Sequence, residues 1–155
     1  KMMPPGYQDI PADRISTAKF SGGSARVIAG EFEGTEGPAQ PQIPIRLLDV
    51  RLDAGTAWTI TPVAGNDVFL CVYEGAVDGP DNEGGTHTIA APGVAVFGGE
   101  GSVTVTAGAE GADILYCEGQ PIREPVEKYG PFVMNTRAEL QQAVDDFNSG
   151  TLATG

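Results

Sequence analysis

Eight short apolar runs, each rich in β-branched residues and bounded by Gly, Pro or Asn, constrain this 155-residue chain more than any other feature. They fall at residues 25–29, 43–52, 57–61, 68–77, 86–90, 94–97, 101–107 and 112–117. Runs of this length are strands, because branched side chains fit a pleated surface and the residues between them favour turns. So many short strands must hide their edges. The pattern therefore predicts an all-β fold, a closed or nearly closed antiparallel barrel or jelly roll. The 22 glycines and 12 prolines supply the turns, and a hydrophobic share of 41% against 19% charged is too apolar for a disordered chain. One core fits this length, and no apolar run approaches membrane-spanning length.

The two ends of the chain break the pattern. Residues 1–17 are rich in Pro and polar side chains, with Tyr7, Ile10 and Ile15 as scattered anchors, and read as an extended arm or interdomain linker. The barrel is expected over 18–155. At the far end Thr136 and Glu139 have the spacing of a capping box, which satisfies free backbone donors where a helix begins. Leu140, Ala143, Val144 and Phe147 then recur at helical spacing and Gly150 supplies a stop, predicting one helix over about 136–149. Burial of Leu140, Val144 and Phe147 would contribute roughly 1.5 to 3 kcal/mol each, so a chain ending at Asn135 is expected to unfold.

Charge narrows the choice of partners. A formal net charge of −12 repels phosphate backbones, and no cluster of Lys and Arg offsets it, which argues against direct nucleic-acid binding. The opening Lys1-Met2-Met3-Pro4-Pro5 has no signal-peptide pattern and reads as the start of a fragment, with the cytoplasm as the default address. Cys71 and Cys117 lie within strand-like runs, as buried reduced thiols or, alternatively, as a cross-strand disulfide.

Few residues invite chemistry. His87 is the single histidine, with no second imidazole to share a metal. Asp78, Asp81 and Glu83 crowd a Gly-rich segment without the ordered spacing of a calcium loop, and read as a solvated hairpin turn. Glu31, Glu33 and Glu36 alternate near Gly, with nothing beside them to suggest a cleft. Ser16, Ser21, Ser24, Ser102 and Ser149 lack a nucleophile-elbow context. Gly98, Gly99 and Gly101 precede a strand, so they cannot present a helix amino terminus to phosphate. Trp58, Phe69, Tyr73 and Tyr116 are either ordinary core or candidate lining of a ligand cavity.

The stretch Gly119-Gln120-Pro121-Ile122-Arg123-Glu124-Pro125-Val126-Glu127-Lys128-Tyr129-Gly130-Pro131-Phe132-Val133-Met134-Asn135-Thr136 closely resembles the ending of pirins. Residues 1–11 resemble the pirin interdomain connection, and Arg26-Val27-Ile28-Ala29-Gly30 with Gly37-Pro38 resembles the opening of its second barrel. The resemblance implies a cupin fold. Pirins have two cupins, and the amino-terminal one carries iron on three histidines and a glutamate. Some members oxidise quercetin and others act as nuclear cofactors.

Aligned to the general cupin pattern through Gly55, Gly75, Gly85 and Gly93, the resemblance puts Thr61 and Val63 at the first two histidine positions, Val68 at the carboxylate and Val96 at the last histidine. One hydroxyl and three aliphatic groups make no iron site, and are expected instead to fill the barrel interior. The resemblance thus implies a degenerate, noncatalytic second cupin with no cofactor of its own. Iron or another divalent metal is expected in an amino-terminal half, against which this chain would pack. Self-association through the uncovered surface is also expected. A stand-alone protein-interaction or regulatory module and a small-ligand-binding barrel remain as alternatives.

Overall fold

The computed structural model describes Met3, residues 6–98 and residues 101–152. It places strands at β1 (Thr17–Phe20), β2 (Gly23–Ala29), β3 (Glu31–Phe32), β4 (Thr35–Glu36), β5 (Ile45–Leu52), β6 (Ala57–Ile60) and β7 (Asp67–Pro80). They continue with β8 (Thr86–Ala90), β9 (Gly93–Phe97), β10 (Val103–Gly119), β11 (Glu127–Tyr129) and β12 (Phe132–Met134), ahead of one helix, α1 (Arg137–Ser149). Every run expected to be a strand is one. The last two, however, are halves of a single long strand, β10, because residues 108–111 form a bulge and not a turn.

Two long strands hold the architecture together. The first half of β7 pairs with the second half of β10, and the ladder extends through β5, β2 and β1 on one side and β9 on the other. The remaining parts pair again beyond a bend, flanked by β6 and β8. These strand pairings are antiparallel, which gives the two facing layers of a jelly roll. Glycine permits the bend. Gly75 (φ 72°) and Gly111 (φ 81°) both lie in the left-handed region, and a Cβ on Gly75 would sit 2.2 Å from the Gly111 carbonyl oxygen.

The core follows the pleat. On β7, Val68, Leu70 and Val72 are buried and on β10 so are Ile114 and Tyr116; they meet Leu48, Val50 and Leu52 of β5. Aromatic rings add to this core: Trp58 stacks on Phe20 and meets Tyr116 edge to face at a centroid distance of 5.7 Å. The arm expected over 1–17 contains a short 3-10 turn at Ala12–Arg14 and hands over to β1 at Thr17. Lys1, Met2, Pro4 and Pro5 of that arm lie outside the described residues, as does Gly99 of the glycine cluster.

The chain divides into two compact units, where a single barrel over 18–155 was expected. One is the barrel, Asp9–Pro121; the other comprises Lys1–Gln8 and Ile122–Gly155. Within the second, β11 and β12 form a hairpin and α1 packs on it through Leu140 and Ala143. The capping box is present, with Thr136 accepting from the Glu139 amide and Glu139 from the Thr136 amide, and Gly150 closes the helix at φ 76°. Phe147 departs from expectation. It is 63% exposed and meets Phe132 edge to face.

Candidate functional site

The positions assigned by the cupin pattern do not converge. Val68 alone points into the barrel. Thr61 is exposed and shares a 2.8 Å hydrogen bond with Ser102, Val63 is 64% exposed, and Val96 faces outward at 76% exposure. The expectation that all four fill the interior therefore fails for three. For Val96 the reason is parity: along β9 the inward positions are Gly93, Ala95 and Phe97, and a shift of one residue reverses the face.

An ion pair occupies the barrel end beside Val68. Arg46, Glu118, Val68 and Phe97 form one inward-facing row across β5, β10, β7 and β9. Arg46 donates to Glu118 through Nε at 2.8 Å and through Nη2, and its guanidinium lies 5.6 Å from the Tyr116 ring centroid. Glu118 also accepts from the Tyr116 hydroxyl (2.8 Å), the Val63 amide (2.6 Å) and Asn66 Nδ2 (2.9 Å). Burial alone would raise this carboxyl. Its donors, the Val63 amide foremost, outweigh that and hold it below the usual carboxylate range. Burial and the neighbouring Glu118 push the Tyr116 phenol upward.

Both oxygens of Glu118 are thus already engaged, and the network ties the loop after β6 to the barrel. It leaves a cavity of about 130 Å³ beside Pro62, Asn66, Val68, Phe97 and Ser102. Ligand sites usually need some 300 Å³ or more. Among the described residues no group of three or more His, Cys, Asp or Glu side chains is placed to hold a metal ion. His87 is exposed on β8 opposite Gly79, and Asp81 accepts from the Glu83 and Gly85 amides to close the β7–β8 hairpin.

The outer face of the larger layer is the more unusual feature. β7 alternates buried Val68, Leu70 and Val72 with outward Phe69, Cys71 and Tyr73, so the strand is apolar on both sides. Register extends the outward row from Phe69 to Val96 on β9 and to Cys117 and then Leu47 on β10 and β5. A second row joins Val94, Cys71 and Leu115. Phe69, Tyr73, Val94 and Val96 are 42, 51, 62 and 76% exposed. Of the four aromatics read as ordinary core or cavity lining, Trp58 and Tyr116 belong to the core, whereas Phe69 and Tyr73 belong to this outer face.

Polar groups border the apolar rows. Tyr73 donates to Asp49 at 2.5 Å, and Asp49 also faces Arg26 at 3.4 Å. Arg51 grips Asp113 with two bonds of 2.8 and 2.7 Å, and this holds the Asp113 carboxyl below its ordinary value. The Cys71 and Cys117 thiols are free and half-buried on the apolar rows, and burial pushes Cys117 up to about 11. Sequence reasoning missed Arg46, Asn66 and Glu118; the signal available was that Arg46 and Glu118 share the inward parity of Leu48 and Tyr116.

Comparison with known proteins matches residues 47–153 to the pirin C-terminal cupin domain. The chain is 38% identical over 157 residues to a pirin-like protein of Caulobacter vibrioides, covering 97% of this chain and 53% of that protein. It is 33% identical to human pirin, covering 96% of this chain and 51% of pirin. Among solved structures, a quercetin 2,3-dioxygenase from Acinetobacter baumannii superposes with a TM-score of 0.83 at 37% identity, over 98% of this chain and 52% of that one. The chain thus spans about half the length of the relatives it matches. Jelly-roll geometry, the matched domain and these identities agree: the chain belongs to the pirin family, as its carboxyl-terminal cupin domain.

Proposed function

We propose that this chain is the noncatalytic half of a two-cupin protein, packing through its outer sheet face on a metal-bearing amino-terminal cupin and shaping that cupin's pocket. One observation carries the reading: β7 and its neighbours are apolar on both faces, while the described residues leave one of those faces exposed. Strands that read as continuous apolar runs belong to sheets covered on both sides. A face bearing Phe69, Val94 and Val96 is what an interdomain contact would cover. The proline-rich first residues would form the connection, and a cytoplasmic address accompanies this reading.

Oxidation of a flavonol such as quercetin would then belong to the other half, where imidazole and carboxylate donors can hold iron or another divalent metal. The donor set here does not fit such a metal. Thr61, Val63 and Val96 are exposed whereas Val68 is buried, and both Glu118 oxygens are engaged by their donors. Elemental analysis of the purified chain, followed by a quercetin assay with added ferrous iron, tests the division of labour. No stoichiometric metal and no turnover are expected. One tightly held metal per chain, or turnover by the chain alone, would refute it.

A further inference from the structure

The hairpin and helix after Pro121 make a body with an unfinished core. It holds two three-residue strands and a 13-residue helix, and among its described residues only Leu140 and Ala143 are buried. A lone hairpin or a helix of that length is marginal in water. Its large apolar groups stay open: Val126, Tyr129 and Phe147 are 70, 69 and 63% exposed. A groove of about 490 Å³ runs between hairpin and helix, floored by Leu140 and Val144 and rimmed by Glu127, Lys128, Tyr129 and Arg137. Yet the sequence specifies the helix sharply at both ends, through its capping box and its left-handed glycine stop. A segment with such firm end signals and so little buried surface finds its remaining core elsewhere.

We propose that this hairpin–helix unit is a clasp that closes on the amino-terminal metal-bearing barrel, with Tyr129, Phe147 and the groove receiving that barrel's surface. The proposal rests on the two-domain reading above and adds a second contact to it, separate from the sheet face. Size argues for the occupant. The relatives are about twice as long as this chain, so the missing half is large enough to supply the apolar surface that the unit lacks. A second copy of the chain is a poorer occupant, because each copy carries a net charge of −12 and the two would repel.

The probe is the amino-terminal half of the Caulobacter vibrioides relative, iron-loaded, titrated into this chain by calorimetry and followed by amide exchange. The unaltered chain should bind it, with amides of 137–149 protected only in the complex. Phe147→Asp should weaken binding about tenfold or more while leaving the barrel's melting transition in place. A chain ending at Pro121 should keep that transition too, in place of the unfolding expected for a chain ending at Asn135, because the helix buries only Leu140 and Ala143 and belongs to the other compact unit. A lowered barrel transition in the shortened chain would overturn the clasp by assigning the unit to its own barrel. Wild-type binding by Phe147→Asp, with binding lost in Val96→Asp, would sink the clasp and leave the sheet-face reading standing. No binding by the unaltered chain would remove both. Self-association of the unaltered chain that Phe147→Asp abolishes would make the occupant a second copy, against the proposal.

Discussion

Replacing Glu118 with Gln keeps the side chain's shape and removes its charge from the barrel end. Glu118 has a side chain 1% exposed and accepts from Arg46, Tyr116, Asn66 and the Val63 amide. The amide nitrogen of Gln would face donors whichever way it turned, and the Arg46 guanidinium would lose its counter-charge. Breaking a buried pair on one side costs about 3 to 5 kcal/mol, and Arg46 at 20% side-chain exposure belongs at the lower end. A loss of about 3 kcal/mol lowers Tm by roughly 6 to 12 °C in a chain of this size. Adding Arg46→Met should recover part of the loss by removing the stranded cation. The pH dependence has a definite sign. The folded carboxyl is held below its unfolded value, so its contribution is full above the ordinary carboxylate pKa of about 4.3 and fades as pH falls through the depressed folded one. Melting curves of the parent and Glu118→Gln, recorded by circular dichroism, should therefore converge on acidification from about pH 7 to pH 3. An unchanged Tm at neutral pH, or a constant gap across that range, would refute the reasoning.

Two further outcomes follow from the bend and the thiols. Gly75→Ala forces a Cβ to within 2.2 Å of the Gly111 carbonyl oxygen at a left-handed φ, and should cost about 2 kcal/mol or more in a melting experiment. Gly98→Ala, with open space around it, serves as the control that should melt like the parent. Cys117, with its thiol pushed up to about 11, should react slowly with iodoacetamide at pH 8 and keep accelerating through pH 10, as followed by mass spectrometry. A rate that levels off near pH 9 would contradict the assigned burial.

Much of the barrel was legible because alternation and turn residues are local signals. Residues 86–90 were read with the observed bounds, and 57–61 and 94–97 to within one residue. β1 was missed because Thr17–Phe20 is a four-residue strand with one buried side chain, Ala18. The β3–β4 and β11–β12 hairpins are too short to show a period. The glycines at 108 and 111 read as a turn between two strands, whereas the long-range pairing of β7 with β10 turns the segment into a bulge. Helix α1 was visible through its caps, but not that Phe147 would stay exposed, since periodicity names a face without naming what covers it. The continuous apolar run Val68-Phe69-Leu70-Cys71-Val72-Tyr73 carried its two-sided message in plain view. Grouping Phe69 and Tyr73 with Trp58 and Tyr116, as core or as cavity lining, overlooked that they stand on the outward parity of β7.

The sharing of β10 among three partners also sets an order of events during synthesis. β5, β6 and β7 all pair with a strand that is made after them, and each reaches back across a long loop of chain to find it. Until the ribosome has released Val103–Gly119, neither layer can complete its ladder, and the apolar edges of β5 and β7 wait unpaired. Non-local closure of this kind places folding in the slow regime of β proteins, on the order of milliseconds to seconds. The nascent barrel is therefore most vulnerable to aggregation just before β10 emerges, and a pause in translation before that strand clears the ribosome would lengthen the exposure.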